Sequence, residues 1–220
     1  MFNRILFCIL AVLYSSSLFA KPFLLVSLPD EQHLAIFEIN TRTGELTHVH
    51  DHKTESDPGP MSVSQDGNTL FVSLRNAGEL ASYAIDHATS SLKHLSTIKA
   101  DRDPAYHWQD HSGKWLITAY YHTGRVSVHA VDNMGVLKQQ AAFFGETALN
   151  AHGVAATNDN RFVYIPHTGP NLIVQFGFDD STGQLTVLEN GSLVSPESTG
   201  PRHLATHPKK PWLYGDYEQG

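Results

Sequence analysis

The sequence predicts an all-β fold, a β-propeller, on three observations: a long internal repeat, period-two alternation of polarity within it, and regular turn punctuation. A turn followed by leucine recurs as Thr43-Gly44-Glu45-Leu46, Ser90-Ser91-Leu92, Met134-Gly135-Val136-Leu137 and Thr182-Gly183-Gln184-Leu185, with leucines 46, 45 and 48 residues apart. Four-stranded units returning every ~40–50 residues are what propeller blades look like in sequence. A β-sandwich also has many short strands, but it does not require a repeated motif.

Taken in order, short apolar strands keep the same beat at residues 23–27, 70–73, 115–118, 162–165 and 212–214. Between them lie segments of alternating polarity, such as Arg125-Val126-Ser127-Val128-His129-Ala130-Val131, set off by turn pairs such as Asp66-Gly67 and Ser112-Gly113. Alternation at period two with such punctuation means antiparallel sheet, and no sustained 3.6-residue pattern competes with it. Residues 21–220 hold four full repeats and the opening hairpin of a fifth. Because closing a ring is what removes sheet edges, an open set of blades is expected to self-associate through the edges it leaves.

The first twenty residues read differently. One positive charge, Arg4, precedes an apolar run over 5–14, then Ser15, Ser16 and Ser17 and small residues ending at Ala20. This is the layout of a secretory signal peptide cleaved after Ala20, and the run is shorter than the ~20 residues needed to span a bilayer. The expected division is therefore a signal peptide at 1–20 and one partial propeller domain at 21–220, located in the periplasm or secreted. The sole cysteine, Cys8, falls in the leader, so no disulfide is expected in the mature chain. Without Arg4 the whole-chain net charge of −7 becomes −8. That balance gives no support to nucleic-acid binding, nor to membrane binding once the leader is gone.

Three further segments carry a family resemblance: Asn150-Ala151-His152-Gly153; Gly200-Pro201-Arg202-His203-Leu204 with His207-Pro208; and Trp212-Leu213-Tyr214 leading to Glu218. With the turn seen whole in residues 179–185, their order and spacing resemble the seven-bladed lactonase propellers, the family that includes 6-phosphogluconolactonase. At two places the chain differs from that family's pattern: Asn150 stands where a His is frequent, and His167-Thr168-Gly169 where Asp-Leu-Gly is frequent. The resemblance implies a seven-bladed lactonase-type propeller of which about four and a half blades are present, a C-terminally shortened member.

The repeat indicates which side chains converge. Aligning units on Leu70, Trp115, Phe162 and Trp212 places Ala105, His152 and Arg202 at one position, with Met61 joining them if one gap is allowed. Glu218, at the far end of the following antiparallel strand, returns to the same channel mouth, with Tyr121 and Thr168 as its counterparts. His152, Arg202 and Glu218 form the candidate catalytic set, and Tyr121, His203 and Asn150 the candidate substrate contacts. An imidazole or a carboxylate can take a proton from water attacking a lactone carbonyl, and either His152 or Glu218 would serve. Arg202 stays charged and suits a developing oxyanion or the product carboxylate. Related lactonase-like and lactone-forming enzymes, by the resemblance, use such a His, Arg and Glu set.

The expected activity is hydrolysis of a small sugar lactone. The alternatives are a non-catalytic exported propeller that binds a ligand or protein partner, and an inactive shortened lactonase. Among the fourteen histidines, His48, His50 and His52 alternate along one strand and would share a face. A solvated blade edge is the expectation there, with no metal and no other cofactor. No Gly-x-Ser-x-Gly, Walker or dinucleotide motif is present.

Overall fold

The computed structural model describes residues 22–219. The leader, Cys8 and the Ala20–Lys21 bond lie outside the described residues. Those that are described form seventeen strands in five antiparallel sheets, without a helix. The first sheet is β1 (Phe23–Leu28), β2 (His33–Ile39) and β3 (Leu46–Lys53). The second is β4 (Pro58–Val63), β5 (Thr69–Leu74), β6 (Glu79–Asp86) and β7 (Ser91–Lys99). The third is β8 (Pro104–Gln109), β9 (Trp115–Tyr120), β10 (Arg125–Val131) and β11 (Leu137–Glu146). The fourth is β12 (Ala155–Ala156), β13 (Phe162–His167), β14 (Leu172–Asp179) and β15 (Gln184–Val194), and the fifth is the hairpin of β16 (Pro201–Thr206) and β17 (Leu213–Tyr217). Within each sheet the strands follow chain order, the up-and-down arrangement of a propeller blade.

Each sheet buries its faces against its neighbours in sequence. Leu34, Ile36, Leu70, Val72 and Tyr83 pack between the first and second sheets. Phe71, Leu80, Leu116 and Leu137 pack between the second and third. The largest cluster joins the third and fourth through Ile117, Val126, Val128, Val163, Ile165 and Phe176. Strands buried on both faces explain why β5 reads as a continuous apolar run rather than an alternating one.

Register corrects two details of the sequence alignment. Ser64, Asp110, Thr157 and His207 each donate a backbone N–H to Thr69, Trp115, Phe162 and Trp212 respectively, so the second-sheet counterpart of Trp115 is Thr69, not Leu70. β1 pairs with β2 as β5 pairs with β6, which makes it a second strand; the first sheet therefore has three strands among the described residues. Counting back from Thr69, the equivalents of Ala105, His152 and Arg202 are then Gly59, with no gap, and not Met61. These four residues each follow a paired position (Pro58, Pro104, Ala151, Pro201), in a stretch where the inner strand carries one extra residue. Such a bulge re-aims side chains at the end of a strand.

The histidine strand β3 is also bulged. His50 pairs with Ile36 and His48 with Phe37, leaving Val49 as the extra residue. Directly paired residues share a face, and Ile36 and Phe37 point to opposite faces, so His48 and His50 do not share one. His48 bonds Asp51 at 2.7 Å and packs edge-on against Phe37, while His52 packs on Tyr83. Among the described residues no group of three or more His, Cys, Asp or Glu side chains is arranged to hold a metal ion.

Candidate functional site

The residue entering each inner strand is Asp57, Asp103, Asn150 or Gly200, and the last three take φ of 57°, 58° and 62°. Asp, Asn and Gly are the residues that tolerate this left-handed conformation. The turn then delivers the bulged residue to the channel mouth, where the residue just after the second strand also arrives: Arg75, Tyr121, Thr168 and Glu218 in successive sheets.

The structure brings His152, Arg202 and Glu218 together. Arg202 Nε donates to His152 Nε2 at 3.1 Å and lies 3.5 Å from Glu218 Oε2. An imidazole nitrogen that accepts from a guanidinium must be unprotonated, so His152 is neutral with its proton on Nδ1. That Nδ1 is buried without a hydrogen-bond partner among the described residues. Burial, then the positive charge of Arg202, then His203 and Arg75, push the His152 pKa down to about 4. Arg202 and Glu218 are each 43% exposed and open to the mouth.

The other predicted contacts divide. The Tyr121 ring stands perpendicular to His152 at 6.0 Å, and the His203 ring does the same at 4.9 Å. Asp216 holds His203, accepting from its backbone N–H at 2.7 Å and lying 3.3 Å from its Nδ1. Asp216 is itself kept below the usual carboxylate range, burial raising it but these His203 bonds and nearby charges lowering it more. The Asn150 side chain turns instead toward Gly169, where an added Cβ would fall 2.2 Å from its Oδ1.

Sequence reading missed a second polar group beside this one. Arg75 lies across Gly59, so close that a Cβ there would fall 2.7 Å from Arg75 Cδ. Its Nε donates to Asp103 Oδ1 at 2.5 Å and its Nη2 pairs with the same oxygen. His122 Nδ1 meets the other oxygen, Oδ2, at 2.5 Å. Asp103 is nearly buried, whereas the His122 side chain is 60% exposed. The three border a cavity of about 330 Å³ that Pro29, Asp57, Gly59, Asn76 and Arg102 also line. Arg75 was hidden because the repeat had been set one residue out of step in its blade.

Sheets stacked by chain order, with polar groups delivered by bulged inner strands to one channel mouth, define a β-propeller with a mouth site. Residues 23–219 match the family described as Lactonase, 7-bladed beta-propeller, and the chain belongs to that family. No curated protein sequence matches it. Among solved structures it is similar to a candidate 6-phosphogluconolactonase from Bacteroides fragilis, with TM-score 0.81 and 22% identity over 92% of this chain and 63% of that one. It is also similar to the periplasmic gluconolactonase PpgL of Pseudomonas aeruginosa, with TM-score 0.77 and 18% identity over 88% of this chain and 66% of that one. A candidate 6-phosphogluconolactonase from Bacteroides uniformis gives TM-score 0.73 and 16% identity over 79% and 52%. The chain thus spans less than two thirds of the length of each, and at these identities the likeness is one of fold.

Proposed function

We propose that the protein is an exported hydrolase of small sugar lactones acting through Arg202 with Glu218 or His152. The observation that supports this most is the convergence at the mouth of one neutral imidazole and one carboxylate on one guanidinium, at 3.1 Å and 3.5 Å from Arg202 Nε. In this reading Glu218 is the better base, because the His152 Nε2 lone pair is occupied by Arg202. Glu218 takes a proton from water as the water oxygen attacks the lactone carbonyl carbon, and Arg202 stabilises the oxyanion. Collapse breaks the ring C–O bond, the ring oxygen takes the proton from Glu218, and the new carboxylic acid releases its remaining proton to solvent, leaving its carboxylate on Arg202. His152 holds the guanidinium in place, with Tyr121 and His203 walling the imidazole on two sides.

Initial rates on gluconolactone, corrected for its spontaneous hydrolysis, test this. Arg202→Ala is expected to lower the rate by roughly 10²- to 10³-fold, as for loss of one oxyanion donor. Removal of the true base, by Glu218→Gln or His152→Ala, is expected to cost roughly 10²- to 10⁴-fold and to abolish one limb of the pH profile. His50→Ala, at the distant bulged strand, should change little. Rates near wild type for Arg202→Ala, Glu218→Gln and His152→Ala together would sink this site. Absence of turnover by the wild-type chain would favour the ligand-binding alternative.

A further inference from the structure

The cavity beside the candidate site has a charge balance that points to its ligand. Arg75 and Arg102 bring two positive charges to it, and Asp57 and Asp103 bring two negative ones. Arg75 commits both Nε and Nη2 to Asp103, so it is neutralised in place rather than left facing the cavity as a free cation. Asp57 is likewise occupied, accepting from the Asn76 backbone N–H through both oxygens at 3.1 Å and from Ser56 Oγ at 2.9 Å. A phosphate dianion needs surplus positive charge, and here the two arginines are matched by the two aspartates. What remains is a mixture of donors and acceptors, the arrangement that suits hydroxyl groups, each both donor and acceptor.

His122 is the oriented member of this set. Its Nδ1–H donates to the buried Asp103 carboxylate, which orients the exposed ring and turns its Nε2 away from that bond. The Tyr121 ring stands 5.8 Å from His122 and 6.0 Å from His152, so the cavity and the His152–Arg202 centre flank one aromatic side chain. Gly59 completes the connection. The bulged position that carries His152 and Arg202 in the fourth and fifth sheets carries no side chain in the second, and Arg75 lies in that space.

We propose that the cavity bordered by Arg75, Asp103 and His122 is a hydroxyl-binding subsite. It takes the polyol tail of an uncharged sugar lactone whose ring carbonyl lies at Arg202. This rests on the lactonase reading for the position of the ring, but the subsite's preference for neutral polyols over phosphate esters stands on its own lining. His122 and Arg75 contact the tail, and Asp103 positions both.

Two measurements on the full chain decide it. The first follows the His122 imidazole signals by ¹⁵N-edited NMR during titration with D-glucitol and, separately, with D-glucitol 6-phosphate. Glucitol is expected to shift the His122 signals, the phosphate ester to do so only at higher concentration, and Asp103→Asn to weaken the glucitol effect roughly 10-fold, as for loss of a hydrogen bond to an oriented group. The second is the KM-against-kcat split on gluconolactone, where His122→Ala is expected to raise KM roughly 10-fold while kcat changes much less. Tighter binding of the phosphate ester than of glucitol, or His122 signals unmoved by glucitol, overturns the subsite. An unchanged KM in an active His122→Ala protein overturns it as well. A chain that binds glucitol at His122 but turns over no lactone sinks the lactonase reading and leaves the subsite standing.

Discussion

At the scale of single residues, burial decides which histidines can titrate. His107 donates from Nε2 to the Phe71 carbonyl at 3.2 Å, and its Nδ1 meets Ser73 Oγ at 3.1 Å. His167 donates from Nδ1 to the Leu149 carbonyl at 3.2 Å. Burial pushes both pKa values from 6.5 down to about 4. A histidine depressed in the folded state binds its proton more readily once unfolded. Its contribution to stability is therefore complete above about pH 6.5 and is lost as the pH falls toward about 4. We expect the unfolding free energy from urea titration to fall between about pH 7.5 and about pH 5, by about 2 kcal/mol per buried histidine, and the loss to shrink in His107→Gln. A midpoint independent of pH across that window would contradict this. Depressed carboxylates such as Asp159, held down to about 2 by Thr157 and Arg161, act only at more acid pH.

At the scale of elements, the turn after each second strand sets where the next strand begins. Gly124 follows β9 with φ of 64°, and an added Cβ would fall 2.4 Å from the Ala148 carbonyl oxygen. Both the backbone angle and an immovable backbone neighbour oppose a side chain there. Gly124→Ala should destabilise the chain by more than about 1 kcal/mol in denaturant unfolding, and a neutral result would refute the reading of this turn. Gly59→Ala should behave differently, since its neighbour is the flexible end of Arg75. Strand positions were legible from alternation and turn residues, but bulges were not. An extra residue changes which face a side chain occupies without changing composition, which is why His48 was expected beside His50 and Met61 beside His152. Thr69 escaped notice for a related reason: at the end of its sheet the marking position need not be apolar, so the neighbouring Leu70 took its place.

At the scale of the molecule, the core is distributed between successive sheets. We propose that the chain is exported and that its mature form begins at Lys21. N-terminal sequencing of the protein from the periplasm or medium should read Lys21-Pro22-Phe23, and recovery of Met1 on cytosolic protein would reject the proposal.

The sequence alone determined the fold class and the convergence of His152, Arg202 and Glu218, because both follow from a repeat in which equivalent positions share an environment, while the family was legible in the resemblance of its motifs. It could not show Arg75, Asp103 and His122 as one network. Those residues come from neighbouring blades, 28 and 19 positions apart from Asp103, and carry no repeated motif of their own. Only the packing of one sheet on the next, with the inner-strand bulge and the space above Gly59, brings their polar atoms within bonding distance. Local pattern specifies which face a side chain leaves from; how far apart two blades stand at the channel mouth is a property of the assembled fold.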